Sequence, residues 1–293
     1  MNNTPLVFII LVNYKGVDHT IECIKSLNEI TYSNYKIIVV DNDSQDNSVN
    51  KLKEYKKNFI LIENKINTGF AGGNNLGINY AIKNNADYVL LLNNDTTVEP
   101  NFLDELINKT SPEIGINIGK ILFYYDKSML WYAGGRINAL KGCTDVNGFE
   151  KDNGQYDEEK YVTFASGCCM LISKEVLNKV GMLMEEYFLY FEDTDYCAKV
   201  LNNGYKILYC PKSVIYHKES VSTVKESFNF LYYITRNRLY FIKDNIKGIN
   251  KILSFIYSFI FIFTKAIIKN QDKKPILCAY KDFFRKKKGK LII

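Results

Sequence analysis

The sequence predicts an α/β protein built on a mostly parallel central sheet with helices on both faces, then an antiparallel addition and a C-terminal helical segment. Three observations carry that prediction. Apolar runs of strand length recur without alternation, as strands covered on both faces require. Segments of helical spacing separate them in units of roughly thirty residues. Each run also ends in amides, carboxylates or glycines, where open α/β sheets bind ligands.

The elements follow in order. Leu6 to Val12 reads as a buried strand, and Asp18 to Asn28 carries Ile21, Ile24 and Leu27 at helical spacing. Tyr35 to Val40 is a second strand, ending in Asp41-Asn42-Asp43-Ser44, and Asp46 to Tyr55 a second helix. Phe59 to Ile62, Ala71 to Asn84 and Tyr88 to Leu92 continue as strand, helix and strand. From residue 114 the rhythm changes. Ile114 to Tyr125, Leu130 to Ile137 and Tyr161 to Ile172 read as longer strands, separated by glycines and the polar stretch from Gly142 to Glu159. Lys174 to Val180 reads as a short helix ended by Gly181, and Glu192 to Asn202 as a longer one stopped near Gly204. Residues 228 to 242 form an aromatic helix with Arg236 and Arg238.

The chain has 293 residues, 47% of them hydrophobic and 24% charged, so a large core is within reach. Seven cysteines form no CxxC pair, and the short apolar stretch at Leu6 to Val12 has no basic flank. Buried thiols in a reducing compartment are the simplest reading, hence a cytoplasmic location. Cys168-Cys169 as a catalytic thiol pair would have only His19 or His217 as a base.

The net charge of +6 is uneven: residues 265 to 293 carry ten Lys or Arg against two Asp, and the preceding residues 28 basic against 30 acidic. The run ILSFIYSFIFIF after Lys251 precedes this tail. Its twelve residues fall short of the roughly twenty that span a bilayer. An interfacial helix, with residues 249 to 293 meeting an anionic membrane surface, is therefore expected rather than a nucleic-acid partner. Basic residues such as Arg285, Lys286, Lys287 and Lys288 would each add about 1 kcal/mol near such a surface.

The chemistry-bearing residues gather at strand ends. Asp95 closes the run Leu-Leu-Leu-Asn-Asn-Asp, with Asn93 and Asn94 before it. Asn13, Asp41 and Asn67 follow the first three strands, and Gly69, Gly72 and Gly73 would let backbone approach a phosphate, with Asn74 beside them. The glycines match neither the dinucleotide nor the P-loop pattern. Asp95 is a candidate ligand for Mg²⁺ or Mn²⁺, hard cations that take oxygen ligands and share their shell with substrate phosphates. Glu192, Asp193 and Asp195 follow an aromatic run, and His217 stands in a Tyr-His-Lys context. A carboxylate beside two like charges has a raised pKa and is suited to accept a proton.

In this order, VNYKG, VVDNDSQDNS, NTGFAGGNNLG, LLLNNDTTVEP, FASGCCMLISKEVL, FLYFEDTDYC and Tyr216-His217 resemble the inverting glycosyltransferases of family 2, whose fold is GT-A. The chain is most similar to their rhamnosyltransferase-like branch, over roughly residues 5 to 245. The resemblance implies a nucleotide-sugar-binding half at 1–112, an acceptor and catalytic half at 113–225, a catalytic domain ending at 245 and a C-terminal piece at 246–293. It implies a dTDP- or UDP-sugar donor, with Asp41 on the nucleobase, Asn13 and Asn67 beside it, Asp95 on the metal and His217 a further metal ligand or phosphate contact. Asp193, paired with Glu192, would be the base. The acceptor would be a lipid-linked glycan or a protein, at the inner face of the cell membrane. Two departures stand out: Val180 to Glu186 lacks the aspartate usual before the Glu-Asp pair, and Lys199 stands where arginine is common. Outside this resemblance, a nucleotidyltransferase of related fold and a non-catalytic glycan-binding or membrane scaffold fit the same pattern.

Overall fold

The computed structural model describes residues 4–55, 58–218, 227–268 and 273–291, the side chains of 261–263 and 265–268 excepted. The first half alternates as the sequence predicts: β1 (Val7–Asn13), α1 (Val17–Leu27), β2 (Tyr35–Asn42), α2 (Ser48–Tyr55), β3 (Phe59–Asn64), α3 (Gly69–Lys83) and β4 (Tyr88–Leu92). β3, β2, β1 and β4 lie side by side and run parallel. Register pairs Asn13 with Asp41, so the polar ends of β1 and β2 emerge together. Between the helices, Phe8 to Leu11 and Ile37 to Val40 are wholly buried, which is why these strands are continuous apolar runs.

The second half comprises β5 (Thr96–Val98), α4 (Phe102–Ile107), β6 (Ile114–Phe123), β7 (Met129–Tyr132), β8 (Gly135–Asn138), β9 (Cys143–Val146), β10 (Glu150–Lys151), β11 (Lys160–Val162), β12 (Cys169–Ser173), α5 (Lys174–Val180), α6 (Glu192–Asn202) and β13 (Lys206–His217). β12 joins the halves, antiparallel to both β4 and β6. The addition is mixed rather than purely antiparallel, because β13 runs parallel to β6. Two expected long strands are each broken. Gly134, at φ +81°, separates β7 from β8, and residues 163–168 separate β11 from β12. β13 carries Pro211 in its middle, where a register shift between Cys210 and Val214 accommodates it.

Three helices close the chain: α7 (Phe228–Asn245), α8 (Gly248–Ile268) and α9 (Lys274–Phe284). α9 opens with Pro275 in its first turn and packs back on α7, with Ile276 and Tyr280 against Leu239 and the Tyr232 hydroxyl donating to Asp282 at 2.9 Å. The packing thus runs across the boundary placed at residue 245. Among the described residues no helix is long and apolar enough to cross a membrane. Residues 269–272 and 292–293 of the basic segment lie outside the described residues.

Candidate active site

A buried hydrogen-bond chain lies along the carboxyl ends of β1, β2 and β4. Asp41, 2% exposed, accepts from the Asn13 amide at 2.7 Å and the Ser44 hydroxyl at 2.7 Å through Oδ2, and from the Ser44 backbone N–H at 3.1 Å through Oδ1. The Asn13 carbonyl oxygen accepts from Thr20 Oγ1 at 2.9 Å, and Thr20 Oγ1 accepts from the Asn94 amide at 2.8 Å. Asp41, Asn13, Thr20 and Asn94 therefore hold one another, and Asn94 adjoins Asp95. Thr20 and Ser44 were not singled out by the sequence reading. Ser44 stands in the turn that was, while Thr20 lies on α1 with no local signal.

Asn67 belongs to a neighbouring network. Its side-chain oxygen accepts from Gly69 N–H at 2.9 Å and from the Asn42 amide at 3.3 Å. Asn42, also missed, further accepts from Asn64, Thr68 N–H and Thr68 Oγ1, fastening the start of α3 to β2 and β3. The glycines also serve close packing within the protein. A Cβ on Gly69 would sit 2.0 Å from the Phe188 carbonyl oxygen, and one on Gly73 2.8 Å from Val12 Cγ1. What approaches closely there is protein, and Asn74 turns inward to donate to the Phe70 carbonyl at 2.9 Å.

Asp95 and His217 meet across the β5–β13 pair, where Thr96 is in register with His217. Both are buried, and Asp95 Oδ1 lies 3.2 Å from His217 Nε2. Two adjacent ligands of an octahedral ion at about 2.1 Å would stand about 3.0 Å apart, so this spacing fits a shared Mg²⁺ or Mn²⁺. His217 Nδ1 is buried without a hydrogen-bond partner, and the Trp131 ring lies edge-on at 4.4 Å. Among the described residues no cluster of three or more His, Cys, Asp or Glu is placed to hold a metal. An ion at this pair would take the rest of its shell from substrate oxygens and water. Next in sequence, Lys218 donates its N–H to the Asp95 carbonyl at 3.0 Å and pairs with Glu22.

Asp193 approaches the same edge from α6. Its Oδ2 accepts from Gly167 N–H at 3.2 Å and its Oδ1 from Thr194 N–H at 2.7 Å. The neighbouring Cys168 carbonyl accepts from Asn93 N–H at 2.9 Å, so one short turn ties the Glu-Asp pair to the Asn-Asn-Asp run. Burial raises the pKa of Asp193, and these hydrogen bonds oppose the rise. Glu192, 5% exposed, is pushed up to about 8, first by burial and then by the charge of Asp193. For Asp193 the sequence led to like charges from Glu192 and Asp195 as the cause, whereas burial is the largest one; Asp195 itself is paired with Lys199 at 2.7 Å and adds a smaller upward push on Glu192. Glu192 is thus held neutral near pH 7 beside Asp193. Cys168 and Cys169 are buried, with thiol pKa values driven upward by desolvation, which leaves them inert.

The family profile described as Glycosyl transferase family 2 matches residues 8–181, more than half of the chain. The chain belongs to this family. As a family 2 glycosyltransferase it is 26% identical over 220 residues to the dTDP-rhamnosyl transferase RfbF of Shigella flexneri, covering 75% of this chain and 71% of the relative. It is 22% identical over 267 residues to the N-acetylglucosaminyl-diphospho-decaprenol L-rhamnosyltransferase of Mycobacterium tuberculosis, covering 84% and 86%. Its fold matches that of a mannosyltransferase from Pyrobaculum calidifontis, solved in complex with GDP-Man and Mn²⁺, at a TM-score of 0.60 and 13% identity over 89% of this chain and 70% of that one. The fold is GT-A, and the likeness places the chain in the rhamnosyltransferase-like branch. Membership in a sugar-transferring family sets aside the nucleotidyltransferase reading.

Proposed function

We propose that the protein is an inverting, metal-dependent hexosyltransferase that moves rhamnose or a related hexose from a dTDP-sugar, with UDP-sugars as the second donor class, to a hydroxyl of a lipid-linked glycan. The observation that carries this reading is the hydrogen-bonded chain from Asp41 through Asn13, Thr20 and Asn94 to the Asp95–His217 pair, with Asp193 one turn away. The names of the two relatives, a dTDP-rhamnosyl transferase and a rhamnosyltransferase acting on a diphospho-decaprenol, support the donor and the lipid-linked acceptor; a protein acceptor would use the same chemistry.

Each side chain has a role. Asp41 and Asn13 face the nucleobase and Asn67 lies beside them. Asn93 and Asn94 set the turn that presents Asp95. A divalent cation on Asp95 and His217 would neutralise the diphosphate leaving group. Asp193 accepts the proton of the acceptor hydroxyl as that oxygen bonds to the anomeric carbon, while the bond from that carbon to the diphosphate oxygen breaks on the opposite face. Attack opposite the leaving group inverts the configuration. Glu192, neutral beside it, leaves the proton-accepting role to Asp193.

The same reading places the enzyme at the cytoplasmic face of a membrane. On α8, Ile249, Ile252, Leu253, Ile256 and Ile260 share one helical face and are 42–66% exposed. On α9, exposed Leu277 and Phe284 alternate with exposed Lys274 and Lys281. An apolar stripe beside exposed cations suits the boundary of an anionic bilayer. Sedimentation with vesicles containing phosphatidylglycerol tests it. The wild type should pellet and a variant with Ile252, Ile256 and Ile260 changed to Ser should stay in solution; equal pelleting of the two refutes the surface.

For the site itself, the test is a titration of Mn²⁺ and dTDP followed by the fluorescence of Trp131, the only tryptophan. Paramagnetic Mn²⁺ bound at His217 should quench it, and Asp95→Ala should abolish the quenching. Unchanged quenching in Asp95→Ala would move the metal elsewhere.

A further inference from the structure

The segment that carries Asp193 into the site is strained. Phe188, Tyr190 and Phe191 have φ of +66°, +66° and +74°, and Phe191 immediately precedes Glu192 at the start of α6. Bulky side chains avoid this region at a cost of order 1–3 kcal/mol each, so surrounding contacts must hold them there. The segment also touches both halves of the site. The Phe188 carbonyl accepts from Phe70 N–H at 2.9 Å at the head of α3, and the same carbonyl closes on Gly69.

The contacts that hold it come from the end of the chain. The Asn237 amide on α7 donates to the carbonyls of Tyr187, Leu189 and Tyr190 at 2.9, 2.8 and 2.9 Å. Arg236, 1% exposed and among the largest fully buried side chains, donates to the Tyr187 carbonyl at 3.2 Å and the Gly289 carbonyl at 2.8 Å. Gly289 N–H donates to the Glu186 carbonyl at 2.7 Å, and Lys288 pairs with the Glu186 carboxylate at 2.9 Å. Asn245, at the end of α7, donates to Asp195 at 2.8 Å, one turn into α6. A fold that needed only burial would leave the carbonyls of Tyr187, Leu189 and Tyr190 to water or to a regular turn. Here one amide and one guanidinium are spent on three carbonyls of a non-repeating backbone that ends at the base.

We infer that Asn237 and Arg236 are positioning residues for Asp193, and that residues 286–291 are the clasp that keeps them engaged. By this inference, which rests on Asp193 as the base, the C-terminal segment serves turnover as well as any surface. The clamp fixes the aromatic turn, the turn sets where α6 begins, and that start aims the Asp193 carboxylate at the acceptor hydroxyl. Donor binding rests mainly on the ends of β1, β2 and β4, where the chain from Asp41 through Asn13 and Thr20 to Asn94 is held by its own members.

The test compares turnover with donor binding in the full-length enzyme. Asn237→Ala should lower kcat by about 10- to 100-fold, the range a misplaced catalytic group produces, while the Kd for dTDP with Mn²⁺ stays at the wild-type value. Arg236→Lys, which keeps the charge but loses the fork, should lose less. Removal of residues 287–293, which leaves α9 whole, should lower kcat in the same direction and guards against misfolding of the helix variants. Leu106→Ala, on the buried face of α4, serves as a control that lowers Tm with kcat unchanged. If Asn237→Ala and the truncation lower Tm but keep kcat, the inference is overturned. A normal Asp193→Asn enzyme would instead overturn the reading beneath it, so the two failures are distinguishable.

Discussion

The two sides of the site are held in opposite ways. The donor side is a set of strand ends fixed by neighbours in the sheet: register alone brings Asn13 to Asp41, and short polar side chains complete the network. The base side is a turn of three aromatic residues in unfavourable backbone conformations, held by side chains about fifty positions later. The first arrangement is cheap and rigid. The second stores strain and depends on distant packing, so it can fail without disturbing the sheet. Donor binding and turnover should therefore separate under mutation.

The largest separation is expected from Asp193→Asn. The carboxamide keeps the size and one of the two acceptor oxygens that Gly167 N–H and Thr194 N–H now use, but cannot take a proton, so transfer should fall by about 100- to 10,000-fold. Radiolabelled transfer assays measure this, and near-normal turnover would place the base elsewhere. Asp95→Ala and His217→Ala should act on the other side, weakening Mn²⁺-dependent dTDP binding by tenfold or more, about 1.4 kcal/mol, as measured by calorimetry. Thr20→Val comes next. It removes the hydroxyl between Asn13 and Asn94 in a buried network, and a loss of about 1–3 kcal/mol in urea-measured stability is expected, along with weaker donor binding.

The smallest effect concerns pH. Glu192 holds its proton to about pH 8 in the fold but only to its ordinary value near 4.5 when unfolded. Between these values the unfolded chain binds fewer protons, so this group's contribution to stability falls as pH rises through the window. Glu192→Gln, neutral throughout, should flatten the decline of Tm from pH 5 to 8. An unchanged slope would mean that Glu192 is ionised in the fold.

Legibility in the sequence followed the same division. β1 to β4 and their polar ends were readable because a covered parallel strand is a continuous apolar run and its ligand-facing residues come next in line. α6 was readable from Glu192 to Asn202, because its acidic first turn and terminal glycine mark both ends. β13 was missed because Pro211 interrupts it, and only the bulge in the folded sheet shows how the strand survives. α9 was missed because its lysines made it read as part of a basic tail meeting a membrane, whereas Ile276, Ala279 and Tyr280 bury one face on α7. The glycines at 69 and 73 read as a phosphate cradle, since sequence does not say whether a ligand or a neighbouring carbonyl fills the space beside a missing side chain. Arg236 stands out as a cation in an aromatic helix, but its role and that of Asn237 left no local trace, because their partners are backbone carbonyls.

The most direct test of the division measures the Kd for dTDP with Mn²⁺ by Trp131 fluorescence in Asp193→Asn and Asp95→Ala, beside transfer by each. The account predicts wild-type affinity with transfer abolished in Asp193→Asn, and lost affinity in Asp95→Ala. Loss of nucleotide affinity in Asp193→Asn equal to that in Asp95→Ala would contradict it, because the two carboxylates would then serve one binding function.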